Sequence, residues 1–120
     1  MKAIEKELDK LVQTVCHKQY CRICAKKDGV LRTAEATHHI IGRANKMLRY
    51  DIINLMPVCL EHHRQIHDGK INQWDYIDTD IAEYLREVKN ASYKDFLIKI
   101  ANQTNDEYLK ECRDVLKKYV

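Results

Sequence analysis

The placement of cysteine and histidine constrains this chain more than any other feature. Cys21-x-x-Cys24 and Cys59-x-x-His62 are two pairs with the same two-residue gap. Together they offer four soft or borderline donors, the set that tetrahedral zinc takes. Zinc bound there would staple residues 21–24 to residues 59–62 and contribute folding energy to a small core. The cysteines number five and are unevenly placed, at 16, 21, 24, 59 and 112. A secreted disulfide scaffold tends instead to an even set spread through loops. Cys16 and Cys112 have no partner at metal spacing and are expected to be isolated thiols, and His17 is a weak competitor for the zinc.

At 120 residues the chain suffices for one domain, or one core with an accessory segment, and not for two full domains. Its three glycines and one proline leave no room for a long disordered linker. No apolar run approaches the ~20 residues that cross a bilayer. The start, MKAIEKELDK, is charged and has no apolar leader region. The expected location is therefore the cytoplasm of its cell or host, where thiols stay reduced. The net charge of +3 says little as a whole. Locally, residues 16–49 carry eight basic and two acidic side chains, whereas residues 73–120 carry eight basic and ten acidic ones. The basic excess lies beside the Cys/His cluster, where a polyanion would be bound.

Hydrophobic spacing predicts a helix over residues 2–17, with Ile4, Leu8, Leu11, Val12 and Val15 on one face. The run QYCRICAKKDG breaks the pattern and reads as a metal knuckle closed by a turn at Asp28-Gly29. Residues 30–41 read as a strand or loose hairpin arm, 42–51 as a basic loop, and 52–58 as a second strand near an edge because of Pro57. Residues 60–68 form a helix that Gly69 closes. Further helices follow: one over 80–89 with Ile81, Tyr84, Leu85 and Val88 inward, one opened by Ser92 and Asp95 and running to about Asn102, one opened by Thr104 and Glu107 and running to about Lys118. Trp74, Tyr76 and Phe96 are expected in the core.

Two further histidine groups carry chemistry. His63 and His67 stand at i and i+4 on the 60–68 helix, so both imidazoles share one face and can share one ion. His62 and His63 are adjacent and point roughly 100° apart at ~3.6 residues per turn, so one helix can serve a structural site and a second metal site. His38 and His39 are adjacent in a strand and face opposite sides. One can bind metal while the other acts as general base, a task suited to an imidazole with an ordinary pKa of about 6.5.

The combination of His38-His39, Asn54 fifteen residues after His39, His63 nine further and His67 four further resembles the HNH, or ββα-metal, endonucleases over about residues 21–68. The zinc pairs around the core fit small phage- or prophage-like members. The resemblance implies an α+β fold: a small ββα-metal core with a structural zinc knuckle, flanked by an N-terminal helix and C-terminal helices. Residues 1–74 would hold the N-terminal helix and nuclease core, and 75–120 a helical extension. The implied activity is metal-dependent hydrolysis of DNA phosphodiester bonds, nicking or cutting both strands.

Carried over residue by residue, His39 is the base that activates water, and His38, His63 and His67 hold one catalytic divalent cation (Mg, Mn, Ni or Zn). Asn54 either holds the base-bearing loop or ligates the metal. Cys21, Cys24, Cys59 and His62 hold the structural zinc, and Arg43, Lys46, Arg49 and Arg64 are candidates for phosphate. Two positions depart from the usual pattern: His38 stands where many members have aspartate, and His62 where cysteine is more usual. No recognition helix is evident, which implies little sequence readout. Cleavage is expected to rise between about pH 6 and 8 as His39 loses its proton. The C-terminal helices could form a homodimer or dock another protein. The alternative reading is a non-catalytic, zinc-stabilised module that binds nucleic acid or protein.

Overall fold

The computed structural model describes residues 2–99 and 105–120. Helix α1 spans Ala3–His17 and buries Leu8, Val12 and Val15 of the face that the spacing predicts, with Cys16 beside them, while Ile4 and Leu11 are partly buried. Its N-cap, Lys2, makes no side-chain capping bond, so packing holds this helix more than local signals do. The chain then tightens into a π-type turn over Cys24–Asp28, closed by Gly29 at φ 65°. Only glycine adopts that left-handed backbone without strain.

Strand β1 (Ala36–His39) pairs antiparallel with β2 (Leu55–Val58), setting His38 opposite Met56 and His39 opposite Leu55. With two strands each is an edge, so Pro57, opposite Thr37, costs no essential ladder bond. Both strands are shorter than the sequence predicts. Residues 30–35 turn toward the run before the knuckle, through a bridge between Tyr20 and Thr33 and a 2.7 Å bond from Cys21 N–H to the Arg32 carbonyl. Ile52–Asn54 is a 3₁₀ turn, because the Asp51 carboxylate accepts the Ile53 N–H at 2.9 Å and caps it.

Helix α2 (Leu60–His67) follows β2 and packs on β1, completing a β-β-α unit. The Cys59 sulfur caps it by accepting the His62 N–H, and Gly69 follows at φ 73°. A short 3₁₀ turn at Gln73–Tyr76 leads to α3 (Thr79–Asn90), α4 (Tyr93–Lys99) and α5 (Asn105–Lys117). The Ser92 hydroxyl accepts the Asp95 N–H, as a capping box requires. The expected cap at Thr104, and the stretch to Asn102, lie outside the described residues.

Helix α5 turns Tyr108, Leu109, Cys112 and Leu116 inward and packs along α1. Ion pairs from Glu7 to Arg113 and Lys117 cross the same seam. Leu8 of α1, Met56 and Val58 of β2, Leu85 of α3 and Leu116 of α5 belong to one hydrophobic core. Phe96 is buried edge-on against Tyr108, while Trp74 and Tyr76 are partly buried against that core. The architecture is α+β. Among the described residues no helix is long and apolar enough to cross a membrane.

Candidate metal centre and active site

The knuckle and the start of α2 meet, as the spacing demands. Cys21, Cys24, Cys59 and His62 are all buried, and their donor atoms lie within 4.8 Å of one another. His62 Nδ1 stands 3.4 Å from both Cys24 Sγ and Cys59 Sγ and 3.7 Å from Cys21 Sγ, and the Cys24 and Cys59 sulfurs are 3.9 Å apart. A tetrahedral ion with bonds of ~2.3 Å to sulfur and ~2.0–2.1 Å to nitrogen requires donor separations of roughly 3.5–3.8 Å. The cluster therefore fits zinc. Backbone N–H groups of Cys24 and His62 point at the Cys21 and Cys59 sulfurs, which favours thiolate at those positions. Cys16 and Cys112 are buried free thiols outside the cluster, and His17 is not part of it.

A second group also draws on α2. The donor atoms of His38, His63 and His67 also lie within 4.8 Å of one another. The Nε2 atoms of His63 and His67 are 3.1 Å apart, and His38 meets both rings edge-on at 5.4 and 5.6 Å between centroids. Burial, and the proximity of the other imidazoles, push His38 and His63 below the ordinary histidine range. Neutral imidazoles keep the lone pairs that a metal needs. The Gln73 carboxamide donates to the Ile40 carbonyl at 3.3 Å, and its oxygen accepts from His38 Nε2 at 2.6 Å. That contact fixes the ring and decides which nitrogen keeps its lone pair.

His39, next along β1, bonds through Nε2 to the Arg49 carbonyl at 3.0 Å. A carbonyl accepts only, so the proton sits on Nε2 and Nδ1 keeps its lone pair. His38, His39, His63 and His67 line one cavity of about 500 Å³ with Gln13, His17, Glu35 and Arg43. Asn54 is fully buried. Its oxygen accepts the Ile41 N–H at 2.7 Å, and its nitrogen donates to the Ile41 and Leu48 carbonyls at 3.0 Å each. Those three bonds use the carboxamide to hold the 41–48 loop.

Residues 21–69 match a family model described as HNH endonuclease. This segment is an HNH domain. No curated protein and no solved structure matches the chain. HNH domains bind a metal, and this one presents two donor sets, Cys₃His and His₃, both drawing ligands from α2.

Two expectations change at the HNH domain. Burial, chiefly, and then the positive charges of Arg43 and Arg49 bring His39 down to about 4, so the ring is already neutral throughout pH 6–8 and the expected rise there has no source in it. Of the candidate phosphate ligands, Arg43 alone lines the histidine cavity. Lys46 lines a different cavity, and Arg64 is exposed on α2. The Arg49 guanidinium turns to α1, where it meets Asp9 at 3.0–3.3 Å through Nε and Nη2. Sequence reasoning misses Gln73 and Asp9. Neither belongs to a motif; Asp9 stands in an ordinary charged helix, and Gln73 follows the HNH domain in an irregular stretch.

Proposed function

We propose that the protein is a metal-dependent HNH endonuclease that hydrolyses DNA phosphodiester bonds with little sequence readout. The observation that carries this reading is one cavity that joins a three-histidine donor set to a fourth histidine whose Nδ1 is left free. His39 Nδ1 takes the proton of the attacking water, and the Arg49 carbonyl holds its ring at the angle this needs. His38, His63 and His67 would hold one divalent cation, which supplies Lewis-acid stabilisation of the phosphate and of the leaving 3′ oxygen. Arg43, exposed at the cavity edge, holds the phosphate. Asn54 acts on the loop and not on the ion. The Cys₃His set is a structural zinc site that fixes α2, and with it His63 and His67.

In this reading residues 1–74 form the nuclease unit and 75–120 brace it. The protein works in the cytoplasm of a bacterium or a phage-infected cell. A homodimer or protein partner would use the exposed faces of the C-terminal helices, the apolar stripe of α5 being buried in the core.

The deciding experiment is cleavage of supercoiled plasmid with Mg, Mn or Ni, or with EDTA, by the wild type and by His39→Ala. Ion-dependent nicking that disappears in the variant is the expected result. A folded, zinc-loaded protein that fails to cleave with any of these ions would instead be a zinc-stabilised binding module.

A further inference from the structure

We propose that the ion pair between Asp9 and Arg49 is a positioning device for His39, so that helix α1, outside the HNH domain, sets the geometry of the base. This inference rests on the reading of His39 as the general base. The carbonyl that receives the His39 Nε2 proton belongs to Arg49 itself. A loop peptide can rotate, and rotation of this one would release the ring to its other tautomer. The Arg49 side chain resists that rotation through its contacts with both Asp9 carboxylate oxygens, at 3.0 and 3.1 Å from Nη2 and 3.3 Å from Nε to Oδ1. The pair is largely withdrawn from water, with 16% of the Arg49 and 30% of the Asp9 side chain exposed. It is therefore less screened than a surface pair.

Three further contacts make the loop a rigid support for this carbonyl. The Arg49 N–H donates to the Asn45 carbonyl at 3.0 Å, Asn54 holds the Leu48 carbonyl, and the Tyr108 hydroxyl of α5 donates to the Met47 carbonyl. Arg49 lines the cavity that contains Lys46 and Tyr50, not the one that contains the histidines. Its charge is thus placed to hold the loop from behind rather than to meet phosphate.

The test uses the full zinc-loaded chain with Asp9→Asn, Asp9→Glu and Arg49→Lys. Three quantities are read: the single-turnover nicking rate at saturating protein and Mn²⁺, the affinity for duplex DNA over a salt series, and the His39 tautomer from ring ¹⁵N–¹H correlation spectra. Asp9→Asn is expected to slow the saturated rate about ten- to a hundredfold, the scale of a small misplacement of a reacting group. DNA affinity and its salt dependence stay as in the wild type, and the His39 ring changes from one Nε2–H tautomer to a mixture. Asp9→Glu recovers most of the rate.

Reduced DNA affinity with an unchanged saturated rate would make Arg49 a phosphate ligand and overturn the proposal. An unchanged rate with an unchanged tautomer would overturn it too. If the wild type does not cleave, the nuclease reading fails, and the ring spectrum decides alone: a mixture in Asp9→Asn supports the device, and a retained single tautomer sinks it. Should Asp9→Asn not fold, Arg49→Lys keeps the charge, loses the planar fork and carries the same readouts.

Discussion

His39 illustrates how burial changes what a residue can do. A free imidazole titrates near 6.5, but loss of water around this one brings it to about 4. A lowered pKa means that the base form is complete above that value and is lost as pH falls through it. Initial nicking rates at saturating Mn²⁺ should accordingly be level from pH 6 to 8 and decline toward pH 4. A steep rise centred near pH 7 would show that a different group limits the rate. Gln73 belongs to the same neighbourhood through its 2.6 Å contact with His38. Gln73→Leu removes the acceptor that orients the ligand ring, and such changes lower metal affinity about 10–100-fold. Titration of the zinc-loaded protein with Mn²⁺ or Ni²⁺, followed by calorimetry, measures this directly; equal affinities would exclude an orienting role.

Helix α2 has eight residues, too short to be stable alone in water. It persists because its start is fastened: the Cys59 sulfur caps it, and the same sulfur belongs to the Cys₃His cluster. Cys59→Ala removes both. The lost cap costs about 1 kcal/mol, and the weakened zinc site costs more, since metal binding of this kind is folding free energy. The variant should melt well below the wild type in circular dichroism and hold less than one equivalent of zinc at that site. Cys112→Ala, at a buried thiol with no metal role, should keep full zinc content. An equal zinc content in the Cys59 variant would remove that residue from the ligand set. Because His63 and His67 ride on this helix, zinc removal should also weaken the second metal site, although no atom of that site is changed.

The molecule closes through contacts between its ends. Leu116 of α5 is fully buried in the core that holds Leu8 of α1 and Met56 of β2. Leu116→Ala should cost about 2–5 kcal/mol, as large-to-small core substitutions do, measured as a drop in the urea midpoint. The helices after residue 74 also reach the loop between β1 and β2, through Tyr108 to Met47 and Tyr84 to Asp51. A chain cut after residue 74 should lose stability and loop order together. If it folded, bound zinc and cleaved like the full protein, the extension would have no bracing role.

Residue type and spacing carried the Cys₃His set, the His63–His67 pair and most of the helices, while His38 joined the second set only through the family resemblance. Donor chemistry belongs to the residue itself, and Cys-x-x-Cys, Cys-x-x-His and His-x-x-x-His fix local geometry within one turn of chain. The apolar faces of α1 and α3 were legible for a similar reason: a period of 3.6 residues is written along the chain. Tertiary packing settled what depends on partners far apart in sequence. It shortened β1, since residues 32–34 found hydrogen bonds with Gln19 and Cys21 and a bridge to Tyr20 instead of a partner in β2. It fixed what Asn54 binds, turned Arg49 to Asp9 forty positions away, and brought Gln73 to His38. It also lowered the His39 pKa, because desolvation belongs to the packed surroundings of a side chain and not to its neighbours in sequence.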